Sequence, residues 1–160
     1  MSTLTLVRTN SDHPDFRELV AQLDQGLAIT DGSDHAFYSQ FNKVDAIKQV
    51  VVAYQNEIPV ACGAIKPFSE TAVEVKRMFV NPDYRKQRIA TQVLNELESW
   101  SAELGYTNCV LETGKRLPEA IALYQKSGYR ITPNYGQYVD IDNSVCMIKP
   151  LNAQHQGPNA

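Results

Sequence analysis

Apolar positions change their period several times along the chain, and each change marks an element. Leu4 to Arg8 alternates apolar with polar residues, the pattern of a half-buried strand. Pro14 follows Asp12 and His13, and Phe16, Leu19, Val20, Leu23 and Leu27 recur at helical spacing behind it. Proline in the first turn and a polar residue before it predict a helix start there. A second helical piece is expected over Ala36 to Phe41. From Gln49 the period shortens. Val50, Val51, Val52 and Tyr54 read as a buried strand, Gln55-Asn56-Glu57 as a turn, and Ile58 to Pro67 as the return strand of a hairpin. Ala72 to Val80 is a third strand.

The strongest helical pattern runs from Arg88 to Leu104. Ile89, Val93, Leu94, Leu97 and Trp100 form one side, and Gly105 stops it. Cys109 to Glu112 reads as a short strand, parallel to its neighbour if the helix is a crossover. Pro118 opens a further helix through Ala120, Ile121, Leu123 and Tyr124, which ends at Ser127-Gly128. Tyr129 to Ile131 and Tyr138 to Ile148 read as the closing strands. The order predicts a mixed sheet with helices packed on it, α+β in class. Residues 1–150 are expected to form a single domain and residues 151–160 a disordered tail.

Composition narrows the function. The chain has 160 residues and a net charge of −3, with a pI of about 5.6. A general nucleic-acid surface is not expected on that balance. No apolar run approaches the ~20 residues that cross a bilayer, and the N-terminus lacks a basic-then-apolar leader, so no membrane association and a cytoplasmic location are expected. Cys62, Cys109 and Cys146 are odd in number and lack metal-ligand spacing, so they read as small buried hydrophobes rather than ligands.

Against this acidic background the stretch Arg77 to Leu94 stands out. It reads as a strand, a basic loop carrying Arg85, Lys86 and Arg88, and the first turns of a helix. Such a junction aims free backbone N–H groups and a positive dipole end at one spot, which suits phosphate.

Three pieces in sequence resemble the GNAT superfamily of acetyl-CoA-dependent N-acetyltransferases. The first is Val80 to Ala90, similar to the family's Arg/Gln-x-x-Gly-x-Gly/Ala cofactor loop after a strand and a proline. The second is Leu111-Glu112. The third is Glu119 to Tyr129, similar to the family's alanine-rich helix with its tyrosine and Gly-aromatic end. The resemblance spans nearly the whole chain and is strongest from Val73 to Tyr129. It implies a GNAT-type mixed, mostly antiparallel sheet of about six or seven strands flanked by about four helices.

The resemblance also implies a site. Met78, Phe79 and Val80 would pair by their backbone with the pantetheine arm of acetyl-CoA, and the N–H of Phe79 or Val80 would polarise the thioester carbonyl. Arg85, Lys86, Gln87, Arg88, Ile89, Ala90 and Thr91 would surround the pyrophosphate. Arg88 departs from the family, which has glycine there. Arginine can take helical φ, so the helix is expected to start at Arg88. Its guanidinium then either reaches a phosphate or points into water, and loss of cofactor binding is the third alternative. Leu117 also departs, standing where the family often has Asn or Gln.

Acetyl transfer needs a neutral amine. An alkyl amine of pKa near 10.4 costs roughly 4–5 kcal/mol to deprotonate at pH 7, and a peptide N-terminus about 1. The resemblance makes Tyr124 the proton donor to the departing thiolate. It offers two carboxylates as base, Glu74 on the strand before the loop and Glu112 on the parallel strand, with water chains as the third route. In a regular strand Glu74, Lys76 and Met78 would share a face, putting a cation beside Glu74. Asp31, Asp34, His35 and Tyr38, with Tyr135, Gln137 and Tyr138, fall where family members line the acceptor pocket. The expected partner is a small-molecule amine, such as an amino-acid derivative. The alternatives are a protein N-terminal or lysine acetyltransferase and a non-catalytic CoA-binding module. Family members are often dimers, which leaves a homodimer open.

Overall fold

The structure is a computed structural model and describes residues 3–31 and 46–151. Seven strands hydrogen-bond in the order β1-β2-β3-β4-β5-β7-β6. They are β1 (Leu4–Thr9), β2 (Gln49–Gln55), β3 (Ile58–Pro67), β4 (Ala72–Val80), β5 (Asn108–Gly114), β6 (Arg130–Thr132) and β7 (Ser144–Pro150). The helices are α1 (Pro14–Asp31), α2 (Ile89–Glu103) and α3 (Pro118–Lys126). β4 and β5 run parallel, while β1/β2, β2/β3, β5/β7 and β6/β7 are antiparallel. The mixed, mostly antiparallel α+β sheet therefore agrees with the sequence reading. The expected helix over Ala36 to Phe41 lies outside the described residues, as do Asp34, His35 and Tyr38.

The chain divides into two compact units, Met1–Lys66 with Val75–Leu97, and Pro67–Glu74 with Glu98–Ala160. In the first, Phe16, Leu19 and Val20 of α1 pack on Val50, Val52, Cys62 and Ala64, with Ile47 beneath. Burying each of these larger side chains contributes roughly 1.5–3 kcal/mol. His13 caps α1: its Nδ1 accepts the Asp15 N–H at 3.1 Å. The β2–β3 hairpin turns through Asn56 and Glu57 at φ of 53° and 68°, the left-handed pair that matches the twist of a tight hairpin. On β3, Gly63 leaves room for Met78. A Cβ there would lie 2.6 Å from Met78 Sδ and 2.8 Å from Leu97 Cδ1.

Arg77 interrupts β4. Its φ of 58° is left-handed, as at a bulge, and breaks the two-residue alternation. The alternation expected to carry on from Glu74 and Lys76 to Met78 is therefore broken before Met78. Arg77 itself is buried and donates from Nη2 to Asp24 of α1 at 2.6 Å.

In the second unit, Cys109 Sγ lies 3.9 Å from Ser101 Oγ of α2, and Lys149, its register partner on β7, binds Glu98 of α2 at 2.8 Å. Glu98 is fully buried and also accepts from the Tyr129 hydroxyl at 3.0 Å. Gly105, at φ 96°, ends α2, and Tyr106 N–H closes back on Ser101 C=O. Leu151, expected in the tail, is instead buried, and its N–H binds Thr107 C=O at 2.7 Å. The last expected strand is also shorter than predicted. Tyr138 sits in a 3-10 turn, Gly136–Tyr138, and β7 begins only at Ser144. The cause is Asn134, whose Nδ2 reaches the carbonyls of Tyr138, Ile141 and Ser144 at 3.1, 3.2 and 3.1 Å and curls the segment into a loop.

Candidate active site

The basic loop belongs to the first unit. β4 ends at Val80, Asn81 N–H pairs with Val60 C=O, and Asn81 caps the short turn Pro82–Tyr84 through its side chain. Lys86 and Arg88 then take φ of 66° and 62°. This corrects the sequence expectation. Arg88 is not the first helical residue, and α2 starts at Ile89. An arginine here holds the left-handed conformation that glycine holds at little cost. Its carbonyl accepts the first bond of the helix, from Gln92 N–H at 3.2 Å. The N–H groups of Ile89, Ala90 and Thr91 precede that bond and point out of the helix end, where the dipole favours an anion. Lys86, Gln87 and Arg88 are exposed beside them, Ala90 and Thr91 are half-buried, and the Ile89 side chain is buried in the core.

Arg85 turns away from this spot. Its Nε donates to Val80 C=O at 2.9 Å, and its guanidinium carbon stands 5.9 Å from the centre of the Phe79 ring. Phe79 packs against the α1 core. Met78 lies on the other side of the strand, under Gly63.

The candidate acid–base residues all belong to the second unit. Cys109 faces α2, so Val110 and Glu112, by alternation, face away from it. Glu74 is in register with Val110, and Cys146 with Glu112. Glu74, Glu112 and Cys146 therefore project from one face of the sheet. Tyr135 donates its hydroxyl to Glu74 Oε2 at 2.6 Å. Its ring stands edge-on to Phe68, centres 4.7 Å apart, and to Tyr138 at 6.1 Å. Tyr138 is buried, and burial first, then the charges of Glu112 and Glu74, raise its pKa. Tyr138 thus lies within the field of both carboxylates.

Tyr124 is buried on α3, edge-on to Tyr129 with centres 5.8 Å apart. Pro118 starts its helix and Gly128, at φ 99°, ends it. Leu117 precedes Pro118 at the cap without a side-chain hydrogen bond. Burial, and after it the charge of Glu112, push the Tyr124 phenol well above the usual tyrosine range. The phenol keeps its proton at neutral pH. The structure thus links Glu112 with Tyr124, and Glu112 and Glu74 with Tyr138. Burial likewise pushes the Cys146 thiol up to about 11. Phe68 and the left-handed Arg77 were not singled out from sequence. Phe68 follows a proline at a strand end, a weak signal, and nothing in a strand-like run predicts a left-handed arginine.

Comparison with known proteins accounts for this arrangement. The family model for the GNAT acetyltransferase domain matches residues 46–131. The chain is 32% identical to an IAA acetyltransferase of Azospirillum brasilense, over 94% of this chain and all of that one. It is 28% identical to the N-acetyltransferase YjgM of Escherichia coli, itself uncharacterised, over 89% of this chain and 92% of that one. A crystal structure from Klebsiella pneumoniae, assigned as an acyl-CoA N-acyltransferase, superposes with a TM-score of 0.78 at 26% identity, over 94% of this chain and 99% of that one. A GNAT protein of Elizabethkingia anophelis with acetyl-CoA bound shares the fold, with a TM-score of 0.65 at 19% identity over 92% and 98% of the two chains. The chain belongs to the GNAT acetyltransferase family, and that membership makes it an acyltransferase. Among the described residues no helix is long and apolar enough to cross a membrane.

Proposed function

We propose that this protein transfers the acetyl group of acetyl-CoA to a primary amine of a small molecule or amino-acid derivative, by direct attack in a ternary complex. The reading rests above all on Tyr124, a phenol that burial first, and then the charge of Glu112, hold in its protonated form. Acetyl-CoA supplies an activated thioester. The N–H groups of Ile89, Ala90 and Thr91, with Lys86 and Arg88, hold its phosphates, and the backbone of Met78, Phe79 and Val80 holds its arm. Glu74 or Glu112 takes the proton that the ammonium form of the acceptor must lose. Tyr124 gives a hydrogen bond, and then a proton, to the departing sulfur. Proton uptake by Glu112 would remove a negative charge that opposes ionisation of Tyr124, so the two carboxylates and the phenol can pass through the reaction together. The left-handed turn at Arg88, a conformation that glycine takes readily, supports retained cofactor binding.

The test combines calorimetry with acetyl-CoA and release of CoA thiol in the presence of spermidine, the common amino acids and a short peptide with a free N-terminus. Binding followed by turnover on at least one of the small amines is expected. The Tyr124→Phe variant should lower kcat about 10²-fold or more, the range for a lost general acid, with KM for acetyl-CoA unchanged. Full turnover in that variant would remove Tyr124 from the mechanism. Binding without turnover on any amine would leave only the module.

A further inference from the structure

Glu74 is anchored by a residue from a distant part of the sequence. The 2.6 Å hydrogen bond from Tyr135 joins the start of β4 to a loop sixty-one positions later. Tyr135 is itself fixed on several sides. Phe68 and Tyr138 stand edge-on to its ring. Asn134, the preceding residue, ties three carbonyls of the same loop together. A phenol held this firmly cannot follow the carboxylate it binds, so the carboxylate must stay with it. With Oε2 engaged, the orientation of the whole Glu74 carboxylate is set, including the lone pairs of Oε1.

We infer that Tyr135 is a positioning residue for Glu74, the carboxylate that takes the acceptor's proton. This rests on the amine acetyltransferase reading above. The proton balance is simple: the ammonium nitrogen loses one proton to Glu74, and the leaving sulfur gains one from Tyr124. Placement of a base within hydrogen-bond reach is worth large factors in rate, and small displacements forfeit them.

A double-mutant cycle on kcat tests the inference, using whichever amine in the panel the native protein acetylates. Tyr135→Phe keeps the ring against Phe68 and Tyr138 and removes only the hydroxyl. It should lower kcat about tenfold or more and leave both the KM for acetyl-CoA and the thermal midpoint near native. In a Glu74→Gln background the same change should add nothing further. Independent, multiplicative losses would overturn the inference, as would native turnover in Tyr135→Phe. A native protein that acetylates no amine would instead defeat the underlying reading, and the inference with it.

Discussion

Replacing Arg88 by glycine should stabilise the protein, and replacing it by alanine should not. The left-handed conformation costs an L-residue roughly 1–2 kcal/mol because Cβ crowds the following carbonyl. Arg88 bears that cost at φ 62°. Glycine removes it but brings greater freedom to the unfolded chain, which returns roughly 0.5–1 kcal/mol. The net gain is about 0.5–1 kcal/mol. For a chain of this length that is a rise of about 1–4 °C in the unfolding midpoint. Alanine keeps Cβ and therefore the crowding. In both variants the carbonyl at position 88 can still accept the Gln92 N–H, so the helix start is not at issue. Scanning calorimetry of the ligand-free protein reads the difference. A midpoint that rises equally in both variants, or falls with glycine, would refute the conformational argument. Affinity for acetyl-CoA separates conformation from contact. Both variants lack the guanidinium, and a charged hydrogen bond to phosphate is worth roughly 1.5–3 kcal/mol, so both should bind about ten- to a hundredfold more weakly. Native affinity in either would mean that the side chain never touches the cofactor.

Alkaline pH should unfold the protein through its buried thiols. Burial holds Cys62 up to about 12 and Cys109 up to about 11, against 9.0 for a free thiol. The native state keeps these protons where the unfolded chain loses them. Stability is therefore full below pH 9 and falls as pH climbs toward those values, by about 2–3 kcal/mol between pH 8 and 10 for the pair. Urea titrations at the two pH values check this, and equal stabilities would contradict it. Lys149→Met should cost about 3–5 kcal/mol, because it removes the ammonium 2.8 Å from the fully buried Glu98. Adding Glu98→Gln to that variant should recover much of the loss, and a double variant weaker than the single one would count against the ion pair.

Elements with strong periodicity were legible from sequence to within a residue or two. β3 and β4 match their predicted spans, and α1 begins at Pro14 as its proline required. The miss at Arg88 is instructive, because helix propensity there competes with a loop whose conformation is set by the neighbouring turn. Arginine tolerates helical φ, so nothing in its side chain announced a left-handed residue. Arg77 escaped for the opposite reason. A polar residue in a strand reads as solvent-facing, yet this one is buried and tied to Asp24, a partner fifty-three positions away. The chemistry was legible as residue types at motif positions. Their wiring was not, since the Tyr135–Glu74 bond depends on a loop that the alternating pattern after Tyr138 disguised as a strand.

That loop also has a lifetime. Asn134 serves three carbonyl oxygens with a single amide nitrogen. Asparagine can lose that nitrogen by spontaneous hydrolysis, becoming aspartate. One atom's replacement would then set an anionic oxygen against three partial negative charges, converting the centre of the loop from attraction to repulsion. Ageing of the molecule would thus act on the late loop abruptly, at a position where a neutral donor is structurally required.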